Sequence, residues 1–275
     1  MKELMVIIGC VAVAALGAVA GTTNQVAVAD VAKNMDAAQG SAEENARIGR
    51  LAYETGKRYA YGYGVERDLE KAFEYYLAGA EAGYVEAEAQ VGHCYWNGEG
   101  TVRDFGEAAY WFERAALHGN RHSMFAMGIM RHFGLDGNMN CYEACLWFRA
   151  AAKAGYGNPG YVPDVIEEEG CGPEVSVQWI ASAAEFGNND ALYWLAECYW
   201  YGQGVPCDEQ MYVYLMQCAA DKGESQAKCA MGCDKWYGRI SGTRGEGLEL
   251  VREAEKQGNI SAYQHLEKLD KTGDI

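Results

Sequence analysis

The stretch "YWNGEGTVRDFGEAAYWFERAALHGN", residues 95–120, decides the fold. It holds Gly98-Glu99-Gly100, an aspartate six residues after Gly98, and an alanine-rich apolar run that stops at Gly119. A phosphate-cradling loop would follow a strand and open its helix with a Lys-Ser/Thr pair, and this stretch has neither. Glu99 and Asp104 would also put negative charge where phosphate sits. The glycines therefore read as a turn, with Asp104 starting the second helix of a hairpin and Gly119 ending it.

The same marks recur along the chain. Gly62, Gly98, Gly134 and Gly202 are each followed six residues later by Asp68, Asp104, Asn140 and Asp208, and Gly238 reaches Thr243 after five. From each of these polar residues the next stop glycine is 15 residues on, at Gly83, Gly119, Gly155, Gly223 and Gly258, and the same 15 separate Gly172 from Gly187. Upstream, Gly56, Gly92, Gly128, Ala196 and Gly232 form a second column at intervals of 36, 36, 68 and 36. A period of 36, with one shortened unit in the third gap, is the signature of stacked helical hairpins.

Each column has a mechanical purpose. Asp104 with Glu107, Asn140 with Glu143 and Thr243 with Glu246 have capping-box spacing, which satisfies the free N–H groups of a helix start. Gly172-Pro173 starts a helix with proline in its first turn. In the second helix of each unit a large residue stands eight before the stop (Trp111, Trp147 and Trp179 among them) and a small one four before it (Gly79, Ala115, Ala151). Facing the small column of the first helix, these let paired helices approach closely.

The pattern "VGHCYWNGEGTVRDFGEAAYWFERAALHGN" resembles the Sel1-like repeat, a relative of the tetratricopeptide repeat, over about residues 46–258. The resemblance implies an all-α fold: a right-handed α/α superhelical solenoid of about six helical hairpins plus a C-terminal capping helix, serving as an adaptor for protein partners. The units are expected at 46–84, 85–120, 121–156, 157–188, 189–224 and 225–259, with a cap at 260–275, all within a repeat domain spanning 42–275. Unit four departs from the pattern: it is four residues short and carries Pro159 and Pro163, so its first helix is expected as a stub at Asp164–Glu169.

Ahead of the repeats, Lys2 and an apolar run from Leu4 to Ala20 read as a secretory signal peptide over residues 1–20, followed by a linker over 21–41. A retained membrane anchor and a lipoprotein signal at Cys10 are the alternatives. Export implies a secreted or periplasmic (cell-envelope) location and an oxidising compartment for the nine cysteines beyond residue 20. Cysteine-rich relatives of the repeat staple successive hairpins with cysteine pairs eight apart, and that spacing is missing here. Cys141/Cys145 and Cys229/Cys233 each lie one helical turn apart, which suits shared packing or the edge of a metal site better than an in-helix disulfide.

A net charge of −16 with no basic run argues against nucleic acid and anionic membrane surfaces as partners; membrane contact would come only through the N-terminal segment. Ser225-Gln226-Ala227-Lys228 and Lys271-Thr272-Gly273 match two motifs of serine acyl-enzymes, but the third is missing between them. His118 and His122 bracket a turn, His93 and His265 stand alone, and no Cys–His or Ser–His–Asp set can be named. No metal, cofactor or catalytic group is assigned, and a β-lactamase-like hydrolase or a cysteine redox protein is the competing class. The candidate binding residues are Trp96, His132, Trp200 and Trp236, which share one phase of the repeat and are expected to line a concave groove for a basic protein or peptide.

Overall fold

The computed structural model describes residues 42–158, 160 and 172–274. The expected signal peptide, linker and unit-four stub, with Cys10 and Cys171, lie outside the described residues. Those residues form twelve helices and no strand: α1 (Ala42–Tyr61), α2 (Leu69–Glu81), α3 (Val85–Asn97), α4 (Phe105–Leu117), α5 (Arg121–Phe133), α6 (Cys141–Lys153), α7 (Pro173–Glu185), α8 (Asn189–Tyr201), α9 (Glu209–Asp221), α10 (Ser225–Trp236), α11 (Arg244–Lys256) and α12 (Ile260–Thr272). The expected all-α repeat architecture is what the chain adopts. It divides into two compact units, one ending at His118 and the other beginning at Gly119.

In the first unit α1 pairs with α2 and α3 with α4, and α2 also packs on α3. Gly98 ends α3 in the left-handed region, φ 75°, which releases the chain into the turn. Gly100 has a different purpose. A Cβ there would lie 2.0 Å from the Leu69 carbonyl oxygen at the start of α2, so the second glycine of the turn is where one hairpin seats against the preceding one. Asp104 then accepts from the Gly106 and Glu107 amides and starts α4.

The second unit repeats the hairpin with α5–α6, α8–α9 and α10–α11, while α7 packs against α6 and α8, and α12 against α11. The expected capping boxes divide. Thr243 and Glu246 form the reciprocal pair. At α6 only Asn140 caps, because Glu143 accepts instead from Arg131 Nε at 2.8 Å. A further column joins them: Asn120, Asn188 and Asn259, each directly after a stop glycine, cap α5, α8 and α12.

The small column works as expected, but against a different partner. A Cβ on Gly92 would lie 2.7 Å from the Phe112 ring, and one on Gly128 2.4 Å from the Phe148 ring. The partner of each of these glycines is therefore a ring seven residues before the stop, where the small residue four before it is expected. Phe112 and Phe148 are buried at these contacts, so these two hairpins are fixed by a phenyl ring pressed on glycine backbone.

Candidate functional site

The expected aromatic stripe is revised by burial. His132 is wholly enclosed and cannot line a groove, because its ring is taken up by buried neighbours. Trp96 meets the edges of Phe105 and Phe112 at 5.8 Å, Trp200 meets Tyr212 at 4.7 Å, and Trp236 lies beneath the Arg244 guanidinium. All three are half-buried, wedged against the second helix of their own hairpin or the turn before it. The residues one further along the chain face solvent instead: Tyr61, Tyr201 and Tyr237 are 41%, 61% and 51% exposed. A helix turns by about 100° per residue, so a shift of one position moves a side chain from a wedge to a surface.

In the second unit these tyrosines adjoin a row of carboxyls. Asp190, Glu197 and Tyr201 fall on one face of α8 at helical spacing, and Glu224 and Asp234 come from the start and the end of α10. Tyr156 donates its hydroxyl to Asp190, and Tyr212 donates to Asp234. Arg239 reaches Asp234 at 3.2 Å from the other side. Burial, with Asp234 nearby, pushes the Glu197 carboxyl up to about 7. Burial and a hydrogen bond with Asp190 also push Glu224 well above the ordinary carboxylate range. Burial thus favours the neutral form of Glu197 and Glu224, and a cation arriving beside them would favour the ionised form.

Two polar clusters escaped the sequence, which treats histidines as isolated unless their neighbours are close in the chain. In the first, His132 Nδ1 stands 2.6 Å from Ser176 Oγ, and Cys198 Sγ lies 3.5 Å from Nε2. Ser176 donates its hydroxyl to the Pro173 carbonyl at 3.1 Å. All three residues are fully buried. In the second, His265 lies against Cys233, so a Cys–His set does exist.

Burial holds His132 down at about 4. Its folded pKa lies below the unfolded one, so the neutral ring contributes stability that is complete above about pH 6.5 and is lost as pH falls toward 4. The raised carboxyls act in the opposite sense, so the signal must be read as a difference. From pH 7 to 4.5 the wild type is expected to lose about 2–3 kcal/mol relative to His132→Asn in urea unfolding of the second unit. Parallel stability curves for the two proteins would refute the assignment.

The acyl-enzyme motifs are engaged elsewhere. Lys228 Nζ pairs with Glu253 at 3.1 Å, while Ser225 Oγ accepts from Asn259 at 3.2 Å. Lys271 and Thr272 sit in the last turn of α12 rather than on a strand, with Lys271 bound to Glu267. His118 pairs with Glu88 in the first unit, and His122 meets the Tyr156 ring in the second. Among the described residues no group of three His, Cys, Asp or Glu side chains is placed to hold a metal ion.

The Sel1 repeat pattern matches this chain at residues 50–84, 85–120, 121–156 and 189–224. An uncharacterized protein of Neisseria meningitidis serogroup B is 27% identical over 168 residues, covering 61% of this chain and 36% of its own length. Chitin synthase regulatory factor 3 of Schizosaccharomyces pombe is 30% identical over 147 residues, covering 50% of this chain and 16% of its own. The chain thus spans well under half the length of these curated relatives. Among solved structures, a Sel1 repeat protein from Oxalobacter formigenes is 27% identical with a TM-score of 0.45, over 75% of this chain and 84% of that one.

Proposed function

Because the chain belongs to the Sel1 repeat family, we propose that it is a protein-interaction scaffold that binds a basic protein or peptide on faces formed by the first helices of its hairpins. The supporting observation is the row Asp190, Glu197, Glu224 and Asp234 beside the exposed Tyr201 and Tyr237, with Trp200 and Trp236 next to them in sequence. Tyrosine edges supply contact area at small entropy loss, and carboxyls select Lys or Arg. Trp96, with the exposed Tyr61 and Tyr63 stacked at 5.5 Å, offers a second aromatic patch in the first unit. A relative named as a regulatory factor of chitin synthase supports action on another protein. The apolar segment from Leu4 to Ala20 would send the chain to the periplasm, the cell envelope or the medium.

The test is binding of a fluorescein-labelled Arg-rich peptide, followed by anisotropy. Affinity is expected to rise about tenfold from pH 6 to 8 as Glu197, held up to about 7, gives up its proton. It should fall as salt rises, and Tyr201→Ala with Tyr237→Ala should weaken it at least tenfold in a chain whose circular dichroism is unchanged. Binding indifferent to pH and salt would sink the electrostatic reading.

A further inference from the structure

Cys229 and Cys233 lie one turn apart on α10, on the side that packs against α11 and α12. Cys229 is buried with Val251, Ala254 and Ala262, and Cys233 packs against the same cluster beside Leu266 while keeping partial exposure. The α12 residue His265 joins them. It lies against Cys233, its ring meets Tyr237 edge-on at 5.7 Å, and its buried Nε2 has no hydrogen-bond partner. Two thiols and an imidazole therefore converge on one spot that neither the repeat architecture nor the acidic face requires.

The two sulfurs are unequal. The neighbouring Cys229, and then His265, hold the Cys233 thiol well below the ordinary range. The same pairing, with burial, pushes the Cys229 thiol up. Asp234 opposes, but its carboxyl is engaged by Tyr212 and Arg239. A thiolate, not a thiol, is the nucleophile in cysteine chemistry. Elsewhere Cys94 and Cys198 are buried and pushed up, and the exposed Cys207 has no such pairing.

We propose that Cys233 is a covalent modification site for hydroperoxides, with Cys229 and His265 as its positioning residues. The Cys233 sulfur attacks the terminal peroxide oxygen: the S–O bond forms, the O–O bond breaks, and hydroxide or alkoxide leaves to take a proton from water. Sulfur is oxidised by two electrons to the sulfenic acid and the peroxide is reduced. Condensation with Cys229 is disfavoured, because helix neighbours one turn apart hold their Cβ atoms about 5–6 Å apart and a disulfide needs about 3.5–4.5 Å. The sulfenic acid is therefore the product to trap.

The full chain is treated with limiting hydrogen peroxide and dimedone at pH 6, and adducts are mapped by mass spectrometry with Cys207 as the internal reference. Cys233 is expected to be labelled at least about tenfold faster than Cys207. Cys229→Ala should remove most of that advantage and His265→Gln part of it. A second measurement needs no variant: iodoacetamide alkylation of the wild type against pH should reach half its plateau at Cys233 well below the value at Cys207. Labelling of Cys207 first, or coincident pH profiles, would overturn the proposal. So would an undiminished Cys233 rate in a folded Cys229→Ala chain.

Discussion

Gly100→Ala is expected to lower the stability of the first unit by about 3–4 kcal/mol, far more than the same change at Gly98. Both glycines are left-handed, with φ of 70° and 75°, and a side chain in that region costs about 1–2 kcal/mol. Their surroundings differ. At Gly98 the nearest atoms to a new Cβ are 3.4 Å away, ordinary contact with Arg103. At Gly100 the Leu69 carbonyl oxygen is at 2.0 Å, with the Leu69 carbon and the Glu70 nitrogen behind it. Those are backbone atoms in the first turn of α2, so no rotamer change relieves the clash and the two hairpins must part. Overpacking of this kind adds about 1–3 kcal/mol to the conformational term. Urea unfolding of both variants gives the comparison, and equal losses would mean that Gly100 serves only its own turn.

That comparison also marks how far the repeat was legible. Stop glycines and Asp or Asn caps are local devices, answering to backbone within a few residues, so their spacing alone placed every hairpin whose helices are described. Gly98 was readable for that reason. Gly100 was read as the second glycine of a turn, whereas its tight partner is Leu69, thirty-one positions earlier. The small residue four before the stop, Ala115, is the partner the spacing suggests for Gly92, and only the packing shows that the Phe112 ring meets the glycine instead. The asparagines after the stop glycines escape for a simpler reason: unit bounds set by the stop glycines make each the last residue of one unit, whereas its side chain starts the first helix of the next.

The surface was harder to read than the core. A column of Trp and His at equal phase looked like a stripe, yet the column that reaches solvent is the next one, Tyr61, Tyr201 and Tyr237. Hydrophobicity could not separate the two, since tryptophan and tyrosine both serve as wedge and as contact residue. Charge was read correctly in sign and only in bulk. The net −16 gave no hint that Asp190 and Glu224 would meet, or that Glu197 would lie near Asp234, because each pair comes from different hairpins. The Cys233–His265 and His132–Ser176–Cys198 clusters have the same origin: stacked hairpins bring together residues from different repeats, and sequence spacing within one unit does not register them.

Arg114→Met is expected to destabilise the first unit by about 3–5 kcal/mol, because it strands a charge in the core. Glu88, on α3, is fully buried. Its two oxygens face Arg114 Nε at 2.7 Å and His118 Nδ1 at 2.8 Å, both from the end of the α4 hairpin arm. The same guanidinium lies over the Trp111 ring and donates to the Ala80 carbonyl at the end of α2. Arg114 thus neutralises a buried carboxylate and ties the second hairpin to the first, which a surface ion pair worth under about 1 kcal/mol could not do. Methionine keeps much of the length over Trp111 and removes the charge and the donors, so the loss measures the ion pair rather than the packing. Changing Glu88 to leucine in the same chain should return much of the stability, because replacing both partners with apolar groups removes the uncompensated charge. A double-mutant cycle in urea at pH 8 is expected to show a coupling of at least about 2 kcal/mol. Additive losses, or a cost for Arg114→Met below about 1 kcal/mol, would show that Glu88 is reached by water and that the hairpins are joined by packing alone.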